Sequence, residues 1–151
     1  MFDRFIEWAE KNGWNVVTAK EMTSLPETVK NRYAVPENWL RFISGLEVCE
    51  NEGATVWFLT PRDFYPHEGG FQWNEFESMS LEWCDGDSAV TEFWDRHIPI
   101  VMSTAGEYSY YAVDTENGSV VHGCEPEFEE ADIVADSFED FMAKVMAGEL
   151  F

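Results

Sequence analysis

His122-Gly123-Cys124 sets an imidazole and a thiol two residues apart, on one face of a strand, as a pair of metal ligands would be set. A metal centre needs three or four ligands at supporting spacing, and the chain has no C-x-x-C and no H-E-x-x-H. His67 and His97 stand alone. Asp85-Gly86-Asp87 begins like a calcium loop but lacks the third acidic ligand and the later Gly-x5-Glu frame, so helix capping accounts for it better. Nucleophilic chemistry has no frame either. There is no G-x-S-x-G elbow, and Cys49, Cys84 and Cys124 sit beside carboxylates that raise a thiol's pKa and dull it. Triad members can come from distant positions, so chain order does not settle the point; buried or idle thiols are the plainer reading. No glycine-rich phosphate loop occurs. The expectation is a protein without catalytic residues, cofactor or metal.

One stretch is better suited to binding than to chemistry. In Glu125-Pro126-Glu127-Phe128-Glu129-Glu130-Ala131-Asp132, five of eight residues are acidic, none is basic, and one is a phenylalanine. Such a run can be a solvated loop. It can also meet a basic protein surface, the charges steering encounter and the ring serving as a hot spot. Glu125, Glu127, Phe128, Glu129, Glu130 and Asp132 are the candidate contacts. Tyr108, Tyr110 and Asp114, which alternate onto one side of a tyrosine-rich strand, form a second candidate face, although core packing is the plainer role for the tyrosines.

The charge of the whole chain points the same way. The 151 residues carry a formal net charge of −21 from 30 acids and 9 bases. Nearly all of it lies after residue 62, where Arg96 and Lys144 are the only Lys or Arg residues. Phosphate backbones and anionic membranes are repelled by such a field, so neither nucleic acid nor membrane is expected as a partner. A basic protein is attracted. No apolar tract approaches the roughly 20 residues of a membrane span, the first residues lack a signal peptide's basic start and apolar centre, and three widely spaced cysteines make no disulfide framework. A reducing cytoplasm fits.

These residues need elements to hold them. Phe2, Phe5, Ile6 and Ala9 recur at helical spacing up to Asn12-Gly13. Trp14 to Val17 suits a short extended piece. Ser24-Leu25-Pro26-Glu27 has the S-x-x-E capping pattern and predicts a helix to about Tyr33. Pro36 opens a third helix, closed by Gly45, and Val56-Trp57-Phe58-Leu59 reads as a buried strand. Residues 61–74 look irregular; helices follow at 74–83 and from Asp85 and Asp87 through Trp94. Ile98–Ser103, Tyr108–Asp114 and Ser119–Gly123 are three strands of an antiparallel meander, with Asn117-Gly118 as a hairpin turn in which both residues tolerate positive φ. Ser137 and Asp140 cap a final helix bearing Phe138, Phe141, Met142 and Val145.

The order of these pieces resembles the SUKH superfamily, in its Smi/Knr-type branch. The resemblance lies in "VPENWLRFISG" (Pro36, Trp39, Phe42, Gly45), in "IPIVMSTAGEYSYYAVDTENGSVV" (Pro99, Gly106, Glu107, Tyr108, Tyr110, Asp114, Gly118), and in "VADSFEDFMAKV" (Ser137, Phe138, Phe141). It spans about 110 residues from about Val35. The glycine-aspartate common in the family before the tyrosine strand is Ala105-Gly106-Glu107 here, and residues 64–83 have no clear counterpart. The resemblance implies an α+β fold, an antiparallel sheet with helices packed around it in one domain over residues 1–151. It implies a bacterial immunity protein that neutralises a cognate polymorphic toxin, many such toxins being nucleases. A regulatory scaffold of the same fold is the alternative, and a small-ligand binder or enzyme the third reading. The family supplies no catalytic residues.

Overall fold

The computed structural model describes every residue from Met1 to Phe151 except Asp85, so the part of the Asp85-Gly86-Asp87 reading that rests on Asp85 lies outside the described residues. The fold is α+β. Among the described residues are six α-helices, α1 (Phe2–Lys11), α2 (Glu27–Arg32), α3 (Glu37–Ile43), α4 (Glu75–Trp83), α5 (Ser88–Arg96) and α6 (Phe138–Ala147). Seven strands, β1 (Asn15–Thr18), β2 (Leu46–Glu50), β3 (Val56–Phe58), β4 (His97–Ser103), β5 (Ser109–Asp114), β6 (Val120–Cys124) and β7 (Ala131–Ala135), form one antiparallel sheet whose spatial order is the chain order.

The sheet is covered on both faces. Adjacent residues of β5 show it: Tyr110 and Tyr111 point opposite ways, yet both are buried. Tyr110 packs against Phe76 of α4 and Trp94 of α5. Tyr111 packs against Phe141 of α6, in a layer where Phe58 of β3 meets Phe5 of α1 and Phe42 of α3. Every residue of β4 and β5 is buried as a result. Arg32 at the end of α2 ties the first layer together. It reaches Glu77 of α4 at 2.6 Å and Asp95 of α5 at 3.1 Å, and its guanidinium lies 4.9 Å from the Tyr33 ring centroid.

Most predicted elements are present, with corrections at their ends. Ser24 does not cap α2; Pro26 holds that position without a side-chain bond, its fixed φ already suited to the entry. Asp87 does cap α5, accepting from Ala89 N–H at 2.9 Å. Ser137 accepts from Asp140 N–H at 3.1 Å, while the Asp140 carboxylate turns back to Asp136 N–H rather than to the cap residue. In the β5–β6 connection only Gly118 has positive φ, at +79°; Asn117 instead accepts the Ser119 N–H through its side chain. A four-residue loop thus replaces the two-residue turn. Two strands were not anticipated: β2, which follows Gly45 directly, and β7, which takes Ala131 and Asp132 out of the acidic loop.

Candidate functional site

The acidic loop, residues 125–130, joins β6 to β7 and folds over the end of α4. Phe128 is its fixed point and not its outer tip. The ring is 0% exposed and stacks on Phe76 with centroids 4.6 Å apart at 29°. Its carbonyl accepts the Tyr110 hydroxyl. This corrects the reading of Phe128 as an aromatic contact for a partner. A phenylalanine among carboxylates turns inward because the sheet face beneath needs cover, while Glu127 and Glu130 turn to solvent and Glu129 is half-buried.

The exposed ring is Trp83, at the last turn of α4. It stacks on Phe128 at 6.1 Å and 24°, yet 55% of its surface remains open. Carboxylates crowd that spot. The neighbouring Cys84 thiol donates to Glu129 Oε1 at 3.5 Å. Burial, then Glu129, Asp87 and Glu127, push that thiol's pKa up. Sequence reasoning passed over Trp83, although its i, i+7 spacing from Phe76 put both on one helical face.

Tyr108 belongs to the same end of the molecule. It is 39% exposed, and its ring meets Phe71 edge-on at 5.7 Å. The Glu125 N–H donates to Tyr108 O at 2.9 Å, and Tyr108 N–H donates to Glu125 Oε1 at 3.3 Å. A run of rings, Tyr108–Phe71–Phe76–Phe128–Trp83, therefore links the two candidate regions, solvated at both ends and dry in the middle. Tyr110 is core. Asp132 is exposed on β7, opposite His122.

His122 and Cys124 line a cleft of about 320 Å³ on the other sheet face, with Ser103, Ser109 and Tyr111. Burial holds the His122 pKa below that of an ordinary histidine, and burial with Glu107 raises that of Cys124, so the pair is a neutral imidazole and a protonated thiol at neutral pH. Among the described residues no three His, Cys, Asp or Glu side chains gather as a metal site would require.

No family model, no curated protein and no solved structure matches this chain.

Asp114 does not join the other candidates. It lies at the opposite end of β5, buried, where Arg96 Nε and Nη2 grip its two oxygens at 2.7 and 2.5 Å and Glu116 N–H caps Oδ1 at 2.9 Å. It holds the β5–β6 loop to the end of α5. Burial alone would raise its pKa, but the Arg96 and Glu116 hydrogen bonds prevail and hold the carboxyl below its ordinary value. A depressed native pKa contributes stability that is complete above the unfolded value and is lost as pH falls through the native one. Asp114→Asn should accordingly destabilise the protein at pH 7 and have a much smaller effect near pH 2. Urea melts at the two pH values check this; an equal loss at both would contradict it.

Proposed function

We propose that this chain is a SUKH-type immunity protein that acts in the cytoplasm by capturing a basic toxin domain and blocking it. The family assignment rests on the order of the three motifs. The binding role rests on one observation: Trp83, half-open to solvent and backed by the buried Phe128 ring, adjoins Cys84, whose thiol lies in the field of Glu129, Asp87 and Glu127. A half-exposed tryptophan on a rigid backing is the kind of residue that interface hot spots use, and rim carboxylates accelerate encounter with a cationic partner. The two Lys/Arg residues after residue 62 are already engaged, Arg96 by Asp114 and Lys144 by Asp140. No helix among the described residues is long and apolar enough to cross a membrane.

A toxin gene adjoining this one would supply the probe, and the measurement is stopped-flow association over a range of salt. Replacing Glu127, Glu129, Glu130 and Asp132 together by Gln or Asn should slow association about tenfold at low salt. The difference should vanish near 1 M salt, where the Debye length is about 3 Å. Trp83→Ala should leave association nearly unchanged and speed dissociation by about 30-fold, the equivalent of a 2 kcal/mol hot spot. If neither replacement alters the kinetics at any salt concentration, this surface is not the interface.

A further inference from the structure

The last strand of the sheet presents an open edge whose backbone groups can be assigned from the register. Glu125 N–H bonds Tyr108 O, and Asp114 N–H bonds Ser119 O, each at 2.9 Å. In an antiparallel ladder successive residues bond to alternate sides, so Ser119, Val121, Gly123 and Glu125 face β5 while Val120, His122 and Cys124 face β7. His122 is paired with Asp132. Asp132 thus bonds inward, and the N–H and C=O groups of Ala131 and Ile133 point away from the sheet.

The two halves of this edge differ. Towards its C-terminal end a bulge breaks the register, and Lys144 Nζ donates to Val134 O at 2.9 Å, so a cation already occupies that part. Among the described residues no such guard covers the half at Ala131–Ile133, and the Ile133 side chain is 66% exposed beside it. Its flanks are acidic, with Glu130, Asp132 and Asp136 all exposed.

We infer that β7 accepts an extended, basic segment of a partner protein as an eighth strand, paired through the backbone of Ala131 and Ile133. The charges select this occupant. A second copy would set these carboxylates against their own equivalents, and a chain of net charge −21 repels itself. A strand alternating lysine with an apolar residue would match the acids on one side and Ile133 on the other. The inference deepens the proposed binding role and rests on it only for the partner's being a protein.

The test uses the full chain and a seven-residue peptide of alternating lysine and valine. The control is the same peptide N-methylated at the residues that would pair, equal in charge but unable to form a ladder. The first peptide should slow amide exchange at Ala131 and Ile133 by about tenfold or more. The methylated peptide should bind at least about tenfold more weakly and protect neither amide. Ile133→Pro removes an outward N–H and no ladder bond, and should abolish the protection at Ala131. Should that variant fold poorly, Ile133→Lys, which places a cation at the edge, should weaken binding in the same way. Equal binding by both peptides, or no protection at Ala131 and Ile133, overturns the inference. Either result leaves the Trp83 surface standing, because its kinetics are measured with a different probe.

Discussion

Phe128→Ala is expected to destabilise the protein by about 3–5 kcal/mol, in the range for truncating a fully buried aromatic. The ring stacks on Phe76 and supports Trp83, and its removal leaves a cavity under the acidic loop. Trp83→Ala, which removes a larger side chain, should cost about 1 kcal/mol or less, because half of that ring is already in water. The contrast is the informative part. A phenylalanine whose role was to touch a partner would show the reverse, a small loss of stability and a large loss of binding. Chemical denaturation of the two variants separates the cases, and a Phe128→Ala loss under 1 kcal/mol would show that the loop does not depend on this ring.

Gly123→Val should be about as damaging, for a reason of space alone. The Gly123 backbone lies in β6 without a positive φ, so its conformation is open to any residue. A Cβ there, however, would come within 2.4 Å of the Tyr110 hydroxyl oxygen, 2.6 Å of Cζ and 2.7 Å of Cε1. Tyr110 cannot withdraw: Phe76 and Trp94 pack on it, and its hydroxyl is bonded to Phe128 O. Overpacking costs about 1–3 kcal/mol and stranding the buried hydroxyl adds about 1–3 more. The signature is a coupling. In a Tyr110→Ala background Gly123→Ala should cost under about 1 kcal/mol, whereas Tyr110→Phe should give little relief because the ring carbons still collide. Additive losses in that cycle would contradict the close approach.

The sequence showed the helices and the central meander because both have a strong period and clear punctuation. Phe2, Phe5 and Ala9 repeat at helical spacing, and glycine marks the turns. What escaped it depended on partners distant in the chain. β7 is a short Ala-Asp-Ile-Val-Ala segment following six residues with four acids, and only its pairing with β6 makes it a strand. Phe128 and Trp83 exchanged roles for a related reason. Residue type says that an aromatic ring prefers burial, but which of two neighbouring rings fills the space over Tyr110 is settled by the sheet, and the remaining one stays wet. Asp114 looked like a surface acid next to a tyrosine strand. Its partner, Arg96, is the last residue of a helix that the alternation of β5 does not reveal.

A sheet whose strands follow chain order has a consequence for how such a protein can change. The chain leaves β3 after Phe58 and returns at His97, and the two ends stay adjacent, Leu59 N–H donating to Ile100 O at 2.9 Å. Residues 59–96 are thus an excursion with neighbouring anchor points, carrying α4, α5 and Trp83. Its length and surface can be exchanged without altering any strand pairing or sheet register, provided that its inward rings still cover Tyr110. In effect the molecule separates inheritance of the scaffold from renewal of its outer layer, and a lineage facing new partners could replace the one while conserving the other.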